Sequence, residues 1–138
     1  MKLKTTILGL CLSLAASIGF AQQNKPVSVE SMAPSVIRTI PVCGDTSVDP
    51  GLKQIKVVFS KDMQTNRMWA VCQISKETFP NVNGDIGYSD DRTCVVPVKL
   101  EPNKTYVLWF NRAQFNSFRD KKNNPSVPYQ LVFKTRAE

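Results

Sequence analysis

The residue type that most often acts as a general base in enzymes is missing from this sequence. The chain has no histidine, which excludes Ser-His-Asp and Cys-His catalytic arrangements and every metal site built on imidazole. Paired carboxylates can act as general acid and base, but the one adjacent acidic pair, Asp90 and Asp91, lies in a turn-like segment. Aspartate is common in turns because its side chain accepts backbone hydrogen bonds. The sequence therefore predicts a protein that is not an enzyme and that needs no cofactor.

Oxygen ligands for a metal ion are present, but they form no recognisable site. Calcium needs several oxygen atoms that converge on one point, as in the EF-hand loop. The loop residues with side-chain oxygens are Asp45, Asp49, Asn83, Asp85, Asp90 and Asp91. Their spacing matches neither an EF-hand nor a glycine-aspartate repeat. Ordinary turn chemistry accounts for them, and no metal site is predicted.

The segment that best fits a binding role is the long connection 111–124. Its first part holds two arginines and two phenylalanines, namely Arg112, Phe115, Phe118 and Arg119. Loops on a rigid scaffold commonly carry binding residues, and aromatic and arginine side chains dominate interface energetics. The alternative is that Phe115 and Phe118 cover the core from beneath the loop, as loop hydrophobes often do. Alanine substitutions separate the two, because one predicts lost binding and the other lost stability.

These side chains need a scaffold, and the stretch 100–110 organises it. Leu100 precedes a polar turn with Pro102 and Asn103, and Tyr106 then opens an alternating run. In immunoglobulin-like folds such a tyrosine packs its ring in the core while its hydroxyl bonds to upstream backbone, the motif called a tyrosine corner. The alternative is a β-hairpin in a different all-β fold.

Alternating apolar and polar residues predict about seven antiparallel strands in two sheets, an all-β sandwich of the immunoglobulin or fibronectin-III type. The clearest predicted strands are 35–40, 54–59, 67–74, 92–100, 106–110 and 129–133. Segment 79–91 is rich in turn formers and is expected to hold short edge strands at most. The large side chains expected in the core are Phe59, Trp69, Tyr106 and Phe133. Pro97 is expected at an edge or a bulge, because proline cannot donate to a β-ladder.

The N-terminus predicts export. Residues 1–21 combine the basic Lys2 and Lys4, an apolar segment and a small-residue cleavage site, as in a secretory signal peptide. The polar segment 22–33 is then a linker, and 34–136 forms the domain. Such a protein is expected in the periplasm, in the medium or at the cell surface, without a stable membrane span after signal removal. A retained membrane-anchoring helix is the alternative, since signal and anchor segments overlap in length.

The charge distribution argues against nucleic acid as a partner. The chain has 18 basic and 11 acidic residues, and removal of Lys2 and Lys4 leaves 16 basic residues and a net charge of +5. The positive residues are scattered, and Lys121-Lys122 is the only adjacent basic pair. No basic run or basic helix marks a nucleic-acid-binding surface. Nonspecific attraction to anionic surfaces is compatible with this charge.

Three cysteines, Cys43, Cys72 and Cys94, follow the predicted signal peptide, and Cys11 lies within it. In an oxidising compartment three thiols allow at most one internal disulfide. Strand parity predicts that Cys94 faces inward and leaves the face of Cys72 open. A bridge between Cys72 and Cys94 is therefore a hypothesis, and it would stabilise the fold by about 2–4 kcal/mol.

Several short motifs, in their order along the chain, resemble those of one family. They are Pro34 to Val36, Ile40-Pro41 with Gly44 and Val48, the strand Ile55 to Phe59 continuing through Met63, the corner Leu100 to Tyr106, Asp120 with Asn124-Pro125, and Phe133 to Thr135. Together they resemble the bacterial Ig-like domain of the SbsA type, first recognised in surface-layer proteins, over residues 34–135. The cysteines are not part of that pattern. Asn123 stands where the family often has glycine, which leaves the conformation of this turn open.

The resemblance implies a noncatalytic spacer or interaction module of a surface or secreted protein. Two functional hypotheses follow. In the first, the chain is an exported module that binds an envelope protein or a glycan. In the second, it is an accessory or inhibitory subunit of a secreted enzyme, and its activity depends on a partner chain.

Overall fold

The computed structural model describes residues 26–138, and the predicted signal peptide, 1–21, lies outside them. Within the described residues the chain forms eight strands and no helix. The strands are β1 (Val36–Ile40), β2 (Gln54–Phe59), β3 (Val71–Gln73), β4 (Asn81–Val82), β5 (Gly87–Asp90), β6 (Thr93–Lys99), β7 (Thr105–Phe110) and β8 (Tyr129–Lys134).

The strands form two antiparallel sheets. One has the order β1-β2-β6-β4, with β5 also paired to β6, and the other has the order β3-β7-β8. The predicted all-β sandwich is therefore confirmed. Segment 79–91 contributes the two short strands β4 and β5.

Alternating side chains of four strands fill the space between the sheets. In β2, Ile55, Val57 and Phe59 are fully buried, while the residues between them lie on the other face. The buried residues of β6, β7 and β8 are Cys94, Val96, Val98, Tyr106, Leu108, Phe110, Leu131 and Phe133. Because successive side chains of a strand point to opposite faces, the apolar alternation in the sequence sets the inner face of each of these strands.

Tyr106 lies where the chain crosses from the sheet of β6 to the sheet of β7. Its ring is buried, and its centroid lies 5.3 Å from that of Phe133. The backbone N–H of Glu101 donates a hydrogen bond of 2.8 Å to the Tyr106 phenol oxygen. The Thr135 hydroxyl donates to the Glu101 carbonyl at 2.7 Å. The crossing is thus held by side chains from β7 and from the residue after β8.

The chain also changes sheets after β1, at the cis peptide Ile40–Pro41. Beyond it, the backbone N–H of Gly44 donates to the Val132 carbonyl at 2.7 Å, and the N–H of Lys134 donates to the Asp45 carbonyl at 2.8 Å. Segment 44–48 therefore covers the outer edge of β8. A covered edge presents no unpaired row of backbone groups for association with another chain.

Pro97 lies in an inner strand, so its predicted place at an edge or a bulge is wrong. It is opposite Gln54 of β2, and its carbonyl accepts a 3.2 Å hydrogen bond from the Asn83 N–H on the other side. On that side β4 ends at Val82 and β5 begins at Gly87. The missing Pro97 N–H faces this gap between the two short strands, so no ladder hydrogen bond is lost.

Trp69 was expected in the core, and this prediction is wrong because its side chain is 37% exposed. The ladder of β3 begins only at Val71, opposite Phe110. Trp69 therefore lies outside the paired segment that would fix an inward side chain. Phe118 of the long connection fills the core instead.

The hypothesis of a Cys72–Cys94 disulfide is also contradicted, because both residues are free thiols. Cys94 lies on the inner face of β6 and is fully buried. Cys72 is opposite Trp109 in the ladder of β3 and β7, and Trp109 has the opposite parity to the inward residues of β7. Directly opposed residues share a face. Cys72 thus lies on the outer face of the other sheet and cannot reach Cys94.

Candidate interaction surface

One end of the sandwich collects several connections, and we call it the loop end. It consists of segments 26–35, 60–70, 90–92 and 111–128. The backbone N–H of Met63 donates to the Asp91 carbonyl, and the N–H of Gln64 donates to the Arg119 carbonyl, each at 2.8 Å. These hydrogen bonds join three connections to one another, so the loop end is built as one unit on the two sheets.

Lys61 holds the N-terminal segment against the loop end. Its ammonium nitrogen lies 2.5 Å from Asp120 Oδ2, 2.8 Å from the Met32 carbonyl and 3.1 Å from the Glu30 carbonyl. All three ammonium protons therefore have an acceptor. The Lys61 side chain is only 15% exposed and the Asp120 side chain 1%. A part of the predicted linker thus packs directly on the sandwich.

Asp120 organises the turn that follows it. Its Oδ1 accepts hydrogen bonds from the backbone N–H groups of Lys122 (2.9 Å) and Asn124 (2.8 Å). Burial alone would raise the pKa of Asp120, but the hydrogen bonds from Lys61 and Asn124 and the Lys61 charge outweigh it and lower the pKa. Asn123 has a φ of 69°, in the left-handed region that glycine prefers and asparagine tolerates. Asn123 therefore supplies in this turn a backbone conformation that glycine adopts without steric cost.

Asn111 fixes the start of the long connection. It is fully buried, and its φ of 62° turns the chain sharply after β7. Its amide group donates to the carbonyls of Phe118 (2.9 Å) and Ser126 (3.0 Å), and its Oδ1 accepts from the Phe118 N–H at 2.9 Å. These three bonds close the connection 111–118 at its base and leave only its tip to project.

Phe118 was predicted as a binding residue, and its position contradicts that role. It is fully buried, with its ring centroid 5.0 Å from Phe59, 6.0 Å from Phe110 and 6.4 Å from Tyr88. These neighbours belong to strands of both sheets. Phe118 therefore covers the core, as the alternative interpretation of the sequence proposed for this residue.

The tip of the connection is a tight turn from Arg112 to Phe115. The N–H of Arg112 donates to the Phe115 carbonyl at 2.7 Å, and the N–H of Phe115 donates to the Arg112 carbonyl at 3.0 Å. The Phe115 side chain is 61% exposed, so it does not cover the core. The four residues of the turn line an open cleft of about 340 Å³.

Arg112 lies over an aromatic side chain that the sequence analysis did not select. Its guanidinium carbon is 5.9 Å from the centre of the Trp109 ring, within the range of a cation–π interaction. Trp109 is on the outer face of β7 and is partly buried. The alternation of 106–110 is the signal for this outward position, because Trp109 falls between the inward residues Leu108 and Phe110.

The fourth predicted binding residue, Arg119, is used within the loop end. Its guanidinium donates to Asn116 Oδ1 at 2.6 Å and to the Asn123 carbonyl at 3.1 Å. Of the four predicted residues, the structure thus brings Arg112 and Phe115 together on the surface. Arg119 supports the loop, and Phe118 lies in the core.

The part of the chain that the structure describes holds neither a cluster of metal ligands nor a membrane-spanning helix. Between residues 26 and 138, no three residues of the types His, Cys, Asp and Glu are grouped so that they can hold a metal ion. No helix in the same range is long and apolar enough to cross a membrane.

Comparison with known proteins identifies the family. The profile of the bacterial Ig-like domain matches residues 30–135. No curated protein matches the chain.

Three similar solved structures are of S-layer proteins. They are the S-layer protein rSbsC (17% identity, 76% of this chain, TM-score 0.47), domains 1–6 of the surface layer protein SbsC (16%, 78%, 0.48), and the N-terminal part of the bacterial S-layer protein SbsC (16%, 78%, 0.46). The chain spans 14%, 14% and 24% of their respective lengths. By the profile match, which covers most of its length, the chain belongs to the family of bacterial Ig-like domains.

Proposed function

We propose that the protein is an exported, noncatalytic Ig-like module that binds a protein or a glycan of the bacterial cell envelope through its loop end. The observation that carries the proposal is the tip from Arg112 to Phe115. A phenylalanine that is 61% exposed gives up most of the roughly 2 kcal/mol that burial of such a side chain is worth. Its place on a rigid turn beside an arginine is typical of an interface residue.

A noncatalytic role is supported by the state of the acidic pair. Asp90 Oδ1 accepts hydrogen bonds from the N–H groups of Arg92 (2.8 Å) and Thr93 (2.9 Å). The backbone hydrogen bond from Arg92, followed by the side-chain hydrogen bond from Thr93, lowers the pKa of the exposed Asp90 carboxyl. General acid or base catalysis near neutral pH favours a raised carboxyl pKa. Asp90 is therefore a turn-forming residue, as its sequence context predicts.

Export and cleavage are part of the proposal and have their own test. The segment 1–21 is proposed as the signal peptide and 22–33 as the linker to the domain 34–136. N-terminal sequencing of protein recovered from the periplasm, the medium and the cell surface is expected to begin at Gln22. Recovery of uncleaved protein from the cytoplasm alone contradicts export.

Binding is tested with labelled protein and isolated cell envelopes. Wild type is expected to bind saturably, and Phe115→Ala is expected to weaken binding by about tenfold, as for a central interface residue. Ile37→Ala is the matched control, because Ile37 is an apolar residue of β1 with a similar exposure of 63%. Its affinity should stay within about twofold of wild type. Binding that does not saturate, or an equal effect of the two substitutions, refutes the proposed role of the tip.

A further inference from the structure

We propose that the partner is a protein that presents a carboxylate beside an apolar side chain, and that Arg112, held over Trp109, binds this carboxylate. The inference rests on the proposed function and specifies the partner class for the same tip. It follows from the charge and geometry of Arg112, Trp109 and Phe115.

Arg112 is held in place without being neutralised. Its guanidinium lies over the Trp109 ring at 5.9 Å, and none of the ion pairs formed by the described residues includes it. An aromatic platform restricts the planar guanidinium while its N–H groups at the rim stay free to donate. Such a group matches the two oxygens of a carboxylate in bidentate geometry. The charge complement of this site is therefore an acidic side chain.

Arg119, the other arginine of this loop, differs from Arg112 because its guanidinium is already hydrogen-bonded within the protein. Arg119 donates to Asn116 Oδ1 and to the Asn123 carbonyl. Both acceptors belong to the same connection, so Arg119 stabilises the loop. Arg112 has an aromatic support but no carboxylate partner among the described residues, which is the arrangement expected of a group that is completed by a ligand.

The apolar part of the partner is set by Phe115. Two backbone hydrogen bonds pair Arg112 with Phe115 across the turn, so the backbone positions that carry the cationic group and the exposed ring stay at a fixed spacing. The turn is anchored by the buried Asn111 at its base. A preformed pair of this kind loses little conformational entropy on binding. An acidic residue next to an apolar residue complements both halves of the tip.

A protein fits this surface better than a glycan. Sugar rings bind aromatic side chains by stacking on an open ring face, and at this tip the face of Trp109 is occupied by Arg112, which leaves only the Phe115 ring open. Arginine beside an exposed aromatic residue is instead the combination enriched in protein interfaces. Binding of a glycan in place of an acidic protein segment would therefore contradict the inference.

The test uses the purified protein and a random peptide library displayed on phage. Wild type is expected to enrich peptides in which Asp or Glu adjoins a large apolar residue. The best peptide is then synthesised together with its Asn or Gln counterpart, and affinities are measured by isothermal titration. Replacement of the peptide carboxylate by the amide, or Arg112→Gln in the protein, should each weaken binding by about tenfold.

Two further variants sharpen the result. Arg112→Lys keeps the charge but loses the bidentate fork, so it should bind more weakly than wild type. Arg38→Gln removes the same charge from the outer face of β1 and should stay within about twofold of wild type. Arg112 and Arg38 both lie on the surface, so we expect their substitution to leave the unfolding midpoint unchanged. An unchanged midpoint will show that each variant is folded.

Three outcomes overturn the inference. They are enrichment of peptides without a carboxylate, equal effects of Arg112→Gln and Arg38→Gln, and binding of the acidic polysaccharide alginate without enrichment of any acidic peptide. The last outcome leaves the proposed envelope-binding function intact, with a glycan as the partner. The proposed binding function fails separately, when envelope binding does not saturate or when Phe115→Ala has no larger effect than Ile37→Ala.

Discussion

The hydrogen bond between the Tyr106 hydroxyl and the Glu101 backbone can be tested by one substitution. It accepts from the Glu101 N–H at 2.8 Å, while the ring packs in the core. Tyr106→Phe keeps the ring but leaves that backbone N–H without its acceptor. We expect the free energy of unfolding in urea to fall by about 1–2 kcal/mol, the cost of an unsatisfied, partly buried donor. An unchanged urea midpoint would show that the ring alone supports the corner.

Asp120 gives the fold a dependence on pH. Its pKa is lowered in the folded state because the hydrogen bonds from Lys61 and Asn124 outweigh the effect of burial. A carboxyl group with a depressed folded pKa contributes stability above its unfolded pKa of about 3.9 and loses it as the pH falls through the folded value. We therefore expect the free energy of unfolding of wild type to decrease as the pH is lowered below about 4.

Asp120→Asn tests the same ion pair at constant pH. The substitution leaves the partly buried Lys61 ammonium without its counter-charge, and we expect a loss of about 3 kcal/mol at pH 7. Asp91→Asn is the control, because Asp91 and Lys121 form a 3.4 Å pair in which both side chains are more than half exposed. Its cost should stay below about 0.5 kcal/mol. Equal losses would assign the effect to general charge balance.

At the scale of secondary structure, the long strands were predictable and segment 79–91 holds the short strands expected there, but the extent of β3 was not predictable. Predicted 54–59 coincides with β2, and predicted 106–110 and 129–133 each differ from β7 and β8 by one residue. These strands have one buried face, so their alternation is visible in the sequence. Predicted strand 67–74 shrinks to the three residues of β3. β3 pairs with β7 at only three positions, and Trp69 is not one of them. The pairing therefore does not fix the face to which Trp69 points, which is why its predicted placement in the core was wrong.

The burial of each cysteine determines the reactivity of its thiol. Burial raises the pKa of Cys94 to about 12, which leaves about a thousandfold less thiolate at pH 8 than in a free cysteine. Burial also raises the pKa of Cys72, against the opposing charge of Arg112, whereas Cys43 is exposed. With iodoacetamide we expect Cys43 to be labelled first and Cys94 only in denaturant. A Cys72–Cys94 cross-linked peptide in a non-reduced digest would contradict the free thiols.

At the scale of the whole molecule, the long connection contributes to both the core and the interaction surface. Asn111 and Phe118 are buried, and between them Arg112 and Phe115 project at the tip. The sequence shows aromatic and basic residues here but no periodicity that would assign each one to the inside or the outside. Sequence reasoning could therefore propose this segment as a site. It could not separate Phe118 from Phe115, because that distinction depends on contacts with strands distant in sequence.

Phe115 and Phe118 provide a matched test of how the long connection is divided between the interaction surface and the core. Phe118 contacts Phe59 of β2 and Phe110 of β7, one strand from each sheet. Phe118→Ala removes a fully buried ring between the sheets, and we expect a loss of about 3–5 kcal/mol. Phe115→Ala, on the exposed tip, should change stability by less than about 0.5 kcal/mol.

Denaturant unfolding near 15 °C measures both variants. Typical domains are stable by only about 5–15 kcal/mol, so Phe118→Ala is compared with the milder Phe118→Leu, which should keep most molecules folded and lose roughly 1 kcal/mol. Because Phe118 packs against both sheets, its loss should shift the whole cooperative transition rather than add a separate early phase. An early phase confined to loop-end amides in hydrogen exchange, with an unchanged main transition, would show instead that the connection unfolds independently of the sandwich.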